Sequence, residues 1–231
     1  MKKHSKRYKT IAKPATSVAF EDAMPILKKN ATAKFDESID VSINLNLEKK
    51  HTIRDTVIFP NPFGKTARVL VFAKGKKAED ARAAGADFVG DDDLIEKISG
   101  GWIDFDVAIA TPDMMRTIAK VAKILGTKGL MPNPKAKTVT ENVLEAVKEV
   151  KSGRREFRAD AAGTISFSVG KASMDEKKIF QNVHEFYSSV MKKKPSDLKG
   201  DYVRSIHITS TMGRGVAINK KAPFKTVSVA G

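Results

Sequence analysis

Asp91, Asp92 and Asp93 form the densest run of potential ligands in the chain. Adjacent carboxylates can hold a magnesium ion, but they also favour the positive end of a helix, and Leu94 behind them makes a helix start the stronger expectation. Asp104 and Asp106 flank Phe105 at the start of a strand-like run with no histidine or lysine base nearby. His4, His51, His184 and His207 are scattered, with no HExxH pair or other close ligand spacing. The absence of cysteine excludes disulfides, thiolate catalysis and cysteine-based zinc sites. The GKT of Gly64 to Thr66 resembles the end of a phosphate loop, yet the earlier glycine such a loop needs falls at Phe59. No GxGxxG follows a strand and no GxSxG or SxxK nucleophile motif occurs. The expectation is no catalytic residue, no metal and no cofactor.

Another chemistry recurs in three short stretches: TSTMGRG (Thr209 to Gly215), KFDES (Lys34 to Ser38) and SVGKAS (Ser168 to Ser173). RNA recognition uses hydroxyls, exposed backbone and flat or apolar surfaces for bases and sugars, while Lys and Arg hold phosphates. The first stretch offers Ser210 and Thr211 for hydrogen bonds, Met212 for apolar contact, Gly213 for close backbone approach and Arg214 for charge. A plain glycine turn between two strands is its competing explanation. KFDES presents Phe35 beside Lys34, with a core phenylalanine as the alternative. The charge favours a polyanion: 42 Lys and Arg against 27 Asp and Glu leave +15. Residues 1–66 carry +6, residues 67–158 +3 and residues 159–231 +6, so the ends hold most of it.

The elements that must position these stretches change rhythm twice. IDVSINLNL (Ile39 to Leu47) alternates strictly, as a half-buried strand of an antiparallel sheet does. Ser17 to Lys29 predicts a helix with Phe20, Met24 and Leu27 on one face, which Pro25 should kink or end. After the loop PNPFGK, the run RVLVFA, the helical KAEDARAAG, ADFVG, a short helix from Asp93, DVAIAT and a long helical stretch from Thr111 or Pro112 read as βαβ units around a parallel sheet. Half-buried strands return at TISFSV and YVRSIHITST, separated by an amphipathic helix, Asp175 to Met191, with Ile179, Val183, Phe186 and Val190 as its stripe. The expected architecture is α/β with two domains. Residues 1–66 and 159–231 build a split α+β domain, and residues 67–158 form an α/β domain inserted into it, with the paired crossings as a hinge. No apolar run approaches the ~18 residues of a membrane span, and the basic N-terminus lacks an apolar continuation, so a cytosolic protein is expected.

TAKFDES, ARAAGADFVG, GWIDFDVAIATPD, GTKGLMPNPKAKTVT, VGKASM and SIHITSTMG follow one another along nearly the whole chain. Together they closely resemble the bacterial ribosomal protein L-one family, from the mobile stalk of the large subunit beside the tRNA exit site. The resemblance implies a split RNA-binding domain and a Rossmann-like insert with no catalytic role. It implies binding to the stalk of the large-subunit ribosomal RNA, contact with exit-site tRNA, repression of the protein's own operon messenger RNA, a ribosome-associated cytoplasmic location and a monomeric state off the ribosome. Its RNA contacts fall on Lys34, Phe35, Ser38 and Asp40, on Gly170 and Lys171, and on Ser205, Thr211, Met212 and Gly213. One departure is Arg214, where the family usually has proline. Two other classes remain open from composition alone: a nucleotide-dependent α/β enzyme and a protein that coats nucleic acid without specificity.

Overall fold

The computed structural model describes residues 17–48, 51–198 and 200–224. In chain order these carry α1 (Phe20–Asn30), β1 (Ser38–Leu45), β2 (Arg54–Ile58), β3 (Val69–Phe72), α2 (Lys76–Ala83), β4 (Phe88–Gly90), α3 (Asp92–Ser99) and β5 (Val107–Ala110). Short helical turns follow, with α4 (Met115–Ile118) and α5 (Ala122–Lys128) between 3-10 segments. Then come α6 (Val143–Lys151), β6 (Arg154–Arg158), β7 (Thr164–Lys171), α7 (Glu176–Lys192), β8 (Val203–Ser210) and β9 (Val216–Ile218). The chain separates into two compact units: residues 1–53, 59–64 and 157–231 in one, residues 54–58 and 65–156 in the other.

The first unit is built on an antiparallel sheet in the order β7-β1-β8-β9. Because side chains alternate across a strand, Ile39, Val41, Ile43 and Leu45 all face one side of β1 and are buried there. Ile165 and Ile206 pair with Ile43, and Phe167 and Ile208 pair with Val41, so the neighbours supply the same apolar face. Two helices close over it. The α1 stripe of Phe20, Ala23, Met24 and Leu27 and the α7 stripe of Ile179, Val183, Phe186 and Val190 are fully buried. Phe167 and Phe186 stack with centroids 5.2 Å apart, and Phe157 meets Phe186 edge-on at 5.6 Å. Contrary to the expected kink, α1 runs continuously from Phe20 to Asn30 with Pro25 inside it. Pro25 lies on the exposed side of the helix, where its ring meets solvent and one missing N–H is tolerated.

Two irregularities set this sheet's phase. Between Ile39 and Asp40 the pairing slips from Gly170 to Ser168, leaving Val169 as an extra residue in β7. Between Asn44 and Leu45 it slips from Ser205 to Val203, leaving Arg204 as the extra residue in β8. Arg204 turns outward and donates to Asn46 Oδ1.

A buried amide ties the loop after Phe59 to this core. Asn182 Oδ1 accepts the Asn61 N–H at 3.1 Å, and its Nδ2 donates to the Asn61 and Val169 carbonyls at 2.8 and 2.9 Å.

In the second unit β4, β3 and β5 form a parallel sheet with β3 central, the arrangement that RVLVFA and DVAIAT imply. Every residue of β3 is buried because both faces are covered. Leu70 and Phe72 pack with Leu94, Ile95 and Ile98 of α3 and with Ile118 and Leu125, whereas Val69 and Val71 pack with Ala81 of α2 and Val147 and Val150 of α6. The long helical stretch expected after Thr111 is instead broken into α4, α5 and 3-10 turns. Strands β2 and β6 make a separate two-stranded sheet. Among the described residues no helix is long and apolar enough to cross a membrane.

Tyr202 is buried, its hydroxyl donating to the Val190 carbonyl at 3.3 Å, and burial pushes its phenol up to about 12. A raised native value contributes stability below the unfolded phenol's range near 10 and loses it as pH climbs through about 12. Tyr202→Phe should therefore flatten the alkaline fall in melting temperature relative to the parent chain, while lowering neutral stability by about 1 kcal/mol for the lost hydrogen bond. Superimposable pH profiles would contradict this.

Candidate nucleic-acid interface

Antiparallel pairing gathers the three polar stretches. KFDES leads into β1, SVGKAS ends β7 and TSTMGRG ends β8, and both ends lie against the start of β1. Ser38 pairs with Lys171, and Ile39 pairs with Gly170 on one side and Ser210 on the other. Segments far apart in sequence thereby become one strand-end surface.

Both carboxylates of KFDES are engaged within the protein, Glu37 buried and Asp36 at the surface. Asp36 accepts the Ser173 N–H at 3.0 Å and the Ser173 hydroxyl at 2.8 Å, which holds the turn after β7. Glu37, only 1% exposed, accepts the Ala33 N–H at 2.9 Å through Oε1 and the Met212 N–H at 3.0 Å through Oε2. Its carbonyl also receives the Ala172 N–H at 2.8 Å. The Thr211 N–H donates to the Ser38 carbonyl at 3.0 Å, and Thr211 Oγ1 accepts the Ser38 N–H at 2.9 Å. Lys171 Nζ donates to Ser38 Oγ at 2.8 Å. Outward at this surface stand Phe35, 54% exposed, Met212, 52% exposed, the exposed Lys34, and Asp36 with its carboxylate held by Ser173.

The ten residues expected at the interface fall into three groups. Lys34, Phe35, Ser38, Lys171, Thr211, Met212 and Gly213 come together at the strand ends. Asp40 and Ser205 lie along the open side of the sheet, Asp40 opposite Thr209 and Ser168, Ser205 opposite Asn44. Gly170 is different. It is buried, and a Cβ there would stand 3.1 Å from Ile179 Cγ1, so packing under α7 accounts for this glycine.

Gly213 also has an internal cause. Its N–H closes a turn on the Ser210 carbonyl at 3.0 Å, and a Cβ at this position would sit 2.4 Å from Ser210 Oγ. Ser210, expected to present its hydroxyl outward, is 1% exposed and points to the core side. The Thr211 hydroxyl, expected to face RNA, is engaged with Ser38, where it organises the surface.

The acidic clusters elsewhere are structural. Asp91 precedes α3 without a side-chain cap bond, so the expected cap is replaced by an ion pair in which Lys74 reaches Asp91 and Asp92 at 3.5 and 3.3 Å. The Asp92 hydrogen bond raises the Lys74 amine above its ordinary range. Arg68 bridges Asp104 and Asp106, and its hydrogen bond to Asp106 holds that carboxyl below the usual range. No group of three or more potential ligands among the described residues is placed to hold a metal ion.

The Ribosomal protein L1p/L10e family matches residues 27–214. A protein named large ribosomal subunit protein uL1 from Borreliella burgdorferi (strain ATCC 35210 / DSM 4680 / CIP 102532 / B31) is 58% identical over 199 residues, 86% of this chain and 88% of that one. The chain belongs to the ribosomal protein L1 family. Family members of the same printed name include that of Chlamydia caviae, 47% identical over 227 residues and 96% and 98% of the two chains, and that of Borrelia hermsii, 55% identical over 203 residues.

The three polar stretches KFDES, SVGKAS and TSTMGRG converge in space, but nothing in the sequence marks Asp36 and Glu37 as the residues that hold them together. Both sit inside KFDES, and their partners Ser173 and Met212 are far away along the chain. Gly213→Ala should destabilise the first unit by roughly 1–3 kcal/mol through the clash with Ser210 Oγ. Adding Ser210→Ala should return most of that loss, and thermal unfolding of the single and double variants reads it directly. Equal melting of Gly213→Ala and the parent chain would reject the steric account.

Proposed function

We propose that this protein is a structural component of the large ribosomal subunit that grips the ribosomal RNA of the mobile stalk near the tRNA exit site. The unit built from the chain ends is its RNA-binding domain, with residues 1–66 and 159–231 as its extent and residues 67–158 as an inserted Rossmann-like domain. The observation that carries the reading is the strand-end surface, where Phe35 and Met212 stand exposed beside Lys34 and Lys171 while Glu37 is buried against backbone donors and the exposed Asp36 is engaged by Ser173. Such a surface offers apolar contact for bases and cations for phosphates, with the Glu37 carboxylate withdrawn from the approaching polyanion. Little reordering accompanies binding because the backbone is already tied. Lys34, Phe35, Ser38, Asp40, Lys171, Ser205, Thr211, Met212 and Gly213 line or support the RNA contact, and Gly170 shapes it from beneath.

Members of the uL1 family are structural and non-enzymatic, so the nucleotide-dependent alternative is dropped. The protein acts on ribosomes in the cytoplasm, where it helps deacylated tRNA leave. Support for a tRNA contact comes from the stretch 114–140, which holds Arg116, Lys120, Lys123, Lys128, Lys135 and Lys137 and no Asp or Glu. All six side chains are exposed. The same strand-end surface represses the protein's own operon by taking a similar RNA fold in the messenger, so messenger and ribosomal fragments should compete.

The deciding measurement is a salt titration of binding to the large-subunit stalk RNA fragment beside a scrambled RNA of equal length. The stalk fragment should win by a factor that persists at high salt, with a log–log slope of about −0.9 for each duplex phosphate neutralised. Met212→Asp, on an exposed side chain, should weaken stalk binding by roughly 1–3 kcal/mol without lowering the melting temperature. If both RNAs bind alike and release together as salt rises, the charge of +15 alone accounts for binding and the specific reading fails.

A further inference from the structure

The chain has eight methionines and no cysteine, so its sulfur chemistry rests on thioethers alone. Met24 and Met114 are buried, and Met115, Met131 and Met174 are half-buried. Two stand exposed among the described residues, Met212 at 52% and Met191 at 37%. Met212 is held by its backbone, whose N–H donates to Glu37 Oε2 at 3.0 Å, while its side chain is left outside that clamp. Beside the same surface the Met174 sulfur accepts the Lys171 N–H at 3.4 Å, so that thioether is engaged and half-buried where Met212 stands out. Met191 lies far along α7, about 22 Å from Glu176 at the rise of an α-helix.

We propose that Met212 is a peroxide-sensitive modification site whose oxidation releases the RNA. The inference rests on the RNA-binding function proposed above and concerns the regulation of that site. In the reaction the Met212 sulfur lone pair forms a bond to one oxygen of hydrogen peroxide as the O–O bond breaks. The proton on the transferred oxygen passes to the departing hydroxide, leaving methionine sulfoxide, oxidised by two electrons, and water. Access decides which thioether reacts first, because the peroxide must reach the sulfur and no thiolate in the chain competes for it. The product has nearly the length of methionine but carries a polar, chiral S=O group. Against the face of a base this oxygen loses water without gaining a donor, and burying it unpaired is unfavourable. No charge changes, so Lys34 and Lys171 keep their attraction for the polyanion. Sulfoxide reductases return the thioether, which makes the change reversible. The oxidised chain loses stalk and messenger RNA together.

The test uses the full-length chain, hydrogen peroxide and the stalk RNA fragment, with each methionine followed by peptide mass spectrometry. Met212 should oxidise at least as fast as Met191 and well ahead of the buried Met24 and Met114. Bound stalk RNA should slow oxidation of Met212 and leave that of Met191 unchanged. Affinity should fall roughly fivefold to a hundredfold as Met212 sulfoxide accumulates, with the melting temperature and salt slope unchanged. Treatment with methionine sulfoxide reductase should restore it. Whatever affinity Met212→Leu starts from, peroxide should leave it there, whereas Met191→Leu should remain as sensitive as the parent chain. Three results would each overturn the inference while the proposed function stands. They are binding of the Met212 sulfoxide form within about twofold of the untreated chain, an equal loss in peroxide-treated Met212→Leu, and Met212 left intact where Met191 is oxidised. Failure of the untreated chain to prefer stalk RNA over scrambled RNA would instead strike the proposed function.

Discussion

Glu37 joins the two loops that display the exposed side chains of the interface. One carboxyl oxygen receives the backbone N–H of Ala33, the other that of Met212, and the side chain is almost wholly removed from solvent. Hydrogen bonds from backbone N–H groups to a buried acid contribute more than neutral ones, on the order of 1.5–3 kcal/mol each, and the buried oxygens would be costly without them. Phe35 lies between Ala33 and Glu37 in sequence, and Met212 carries the second N–H, so the exposed phenyl and thioether are set relative to each other by one residue. Asp36 does the same for the turn after β7 through Ser173.

The two units solve burial differently, and that difference assigns their surfaces. In the end unit each strand has a covered face and an open one, so every second residue is released from the core and can be polar. In the middle unit β3 is covered on both sides, and no residue of the strand is released. The exposed basic side chains of the middle unit between Met114 and Thr140 are found instead on loops and helix exteriors.

Much of this architecture is legible in the sequence because it depends on local periodicity. The alternation of Ile39 to Leu45 and the stripe of Ile179, Val183, Phe186 and Val190 are consequences of two backbone repeats, and each matches the buried set. RVLVFA is legible for the opposite reason, since lack of alternation marks a strand covered on both sides. What stays illegible comes from interactions that periodicity does not encode. Ser210 and Thr211 are adjacent hydroxyls, and only the strand's phase shows that one faces the core while the other bonds Ser38. Glycine at 213 suggests close approach, but the approaching atom belongs to Ser210 of the same turn. Pro25 leaves α1 unbroken because it lies on the exposed side, which spacing alone does not reveal.

The extra residue at Val169 fixes which side of the sheet the end of β7 presents. Up to Ser168 the even-numbered residues of that strand lie on the open side, and after the slip Lys171 lies there instead, with its amine on Ser38 Oγ. Without the slip Lys171 would point beneath α7 and Gly170 would take its place. The last residues of β7 thus behave as a reading frame: substitutions there are judged one side chain at a time, whereas a single inserted or deleted residue exchanges the inner and outer sets together. A lineage carrying this fold is free to vary the chemistry of that edge far more than its length.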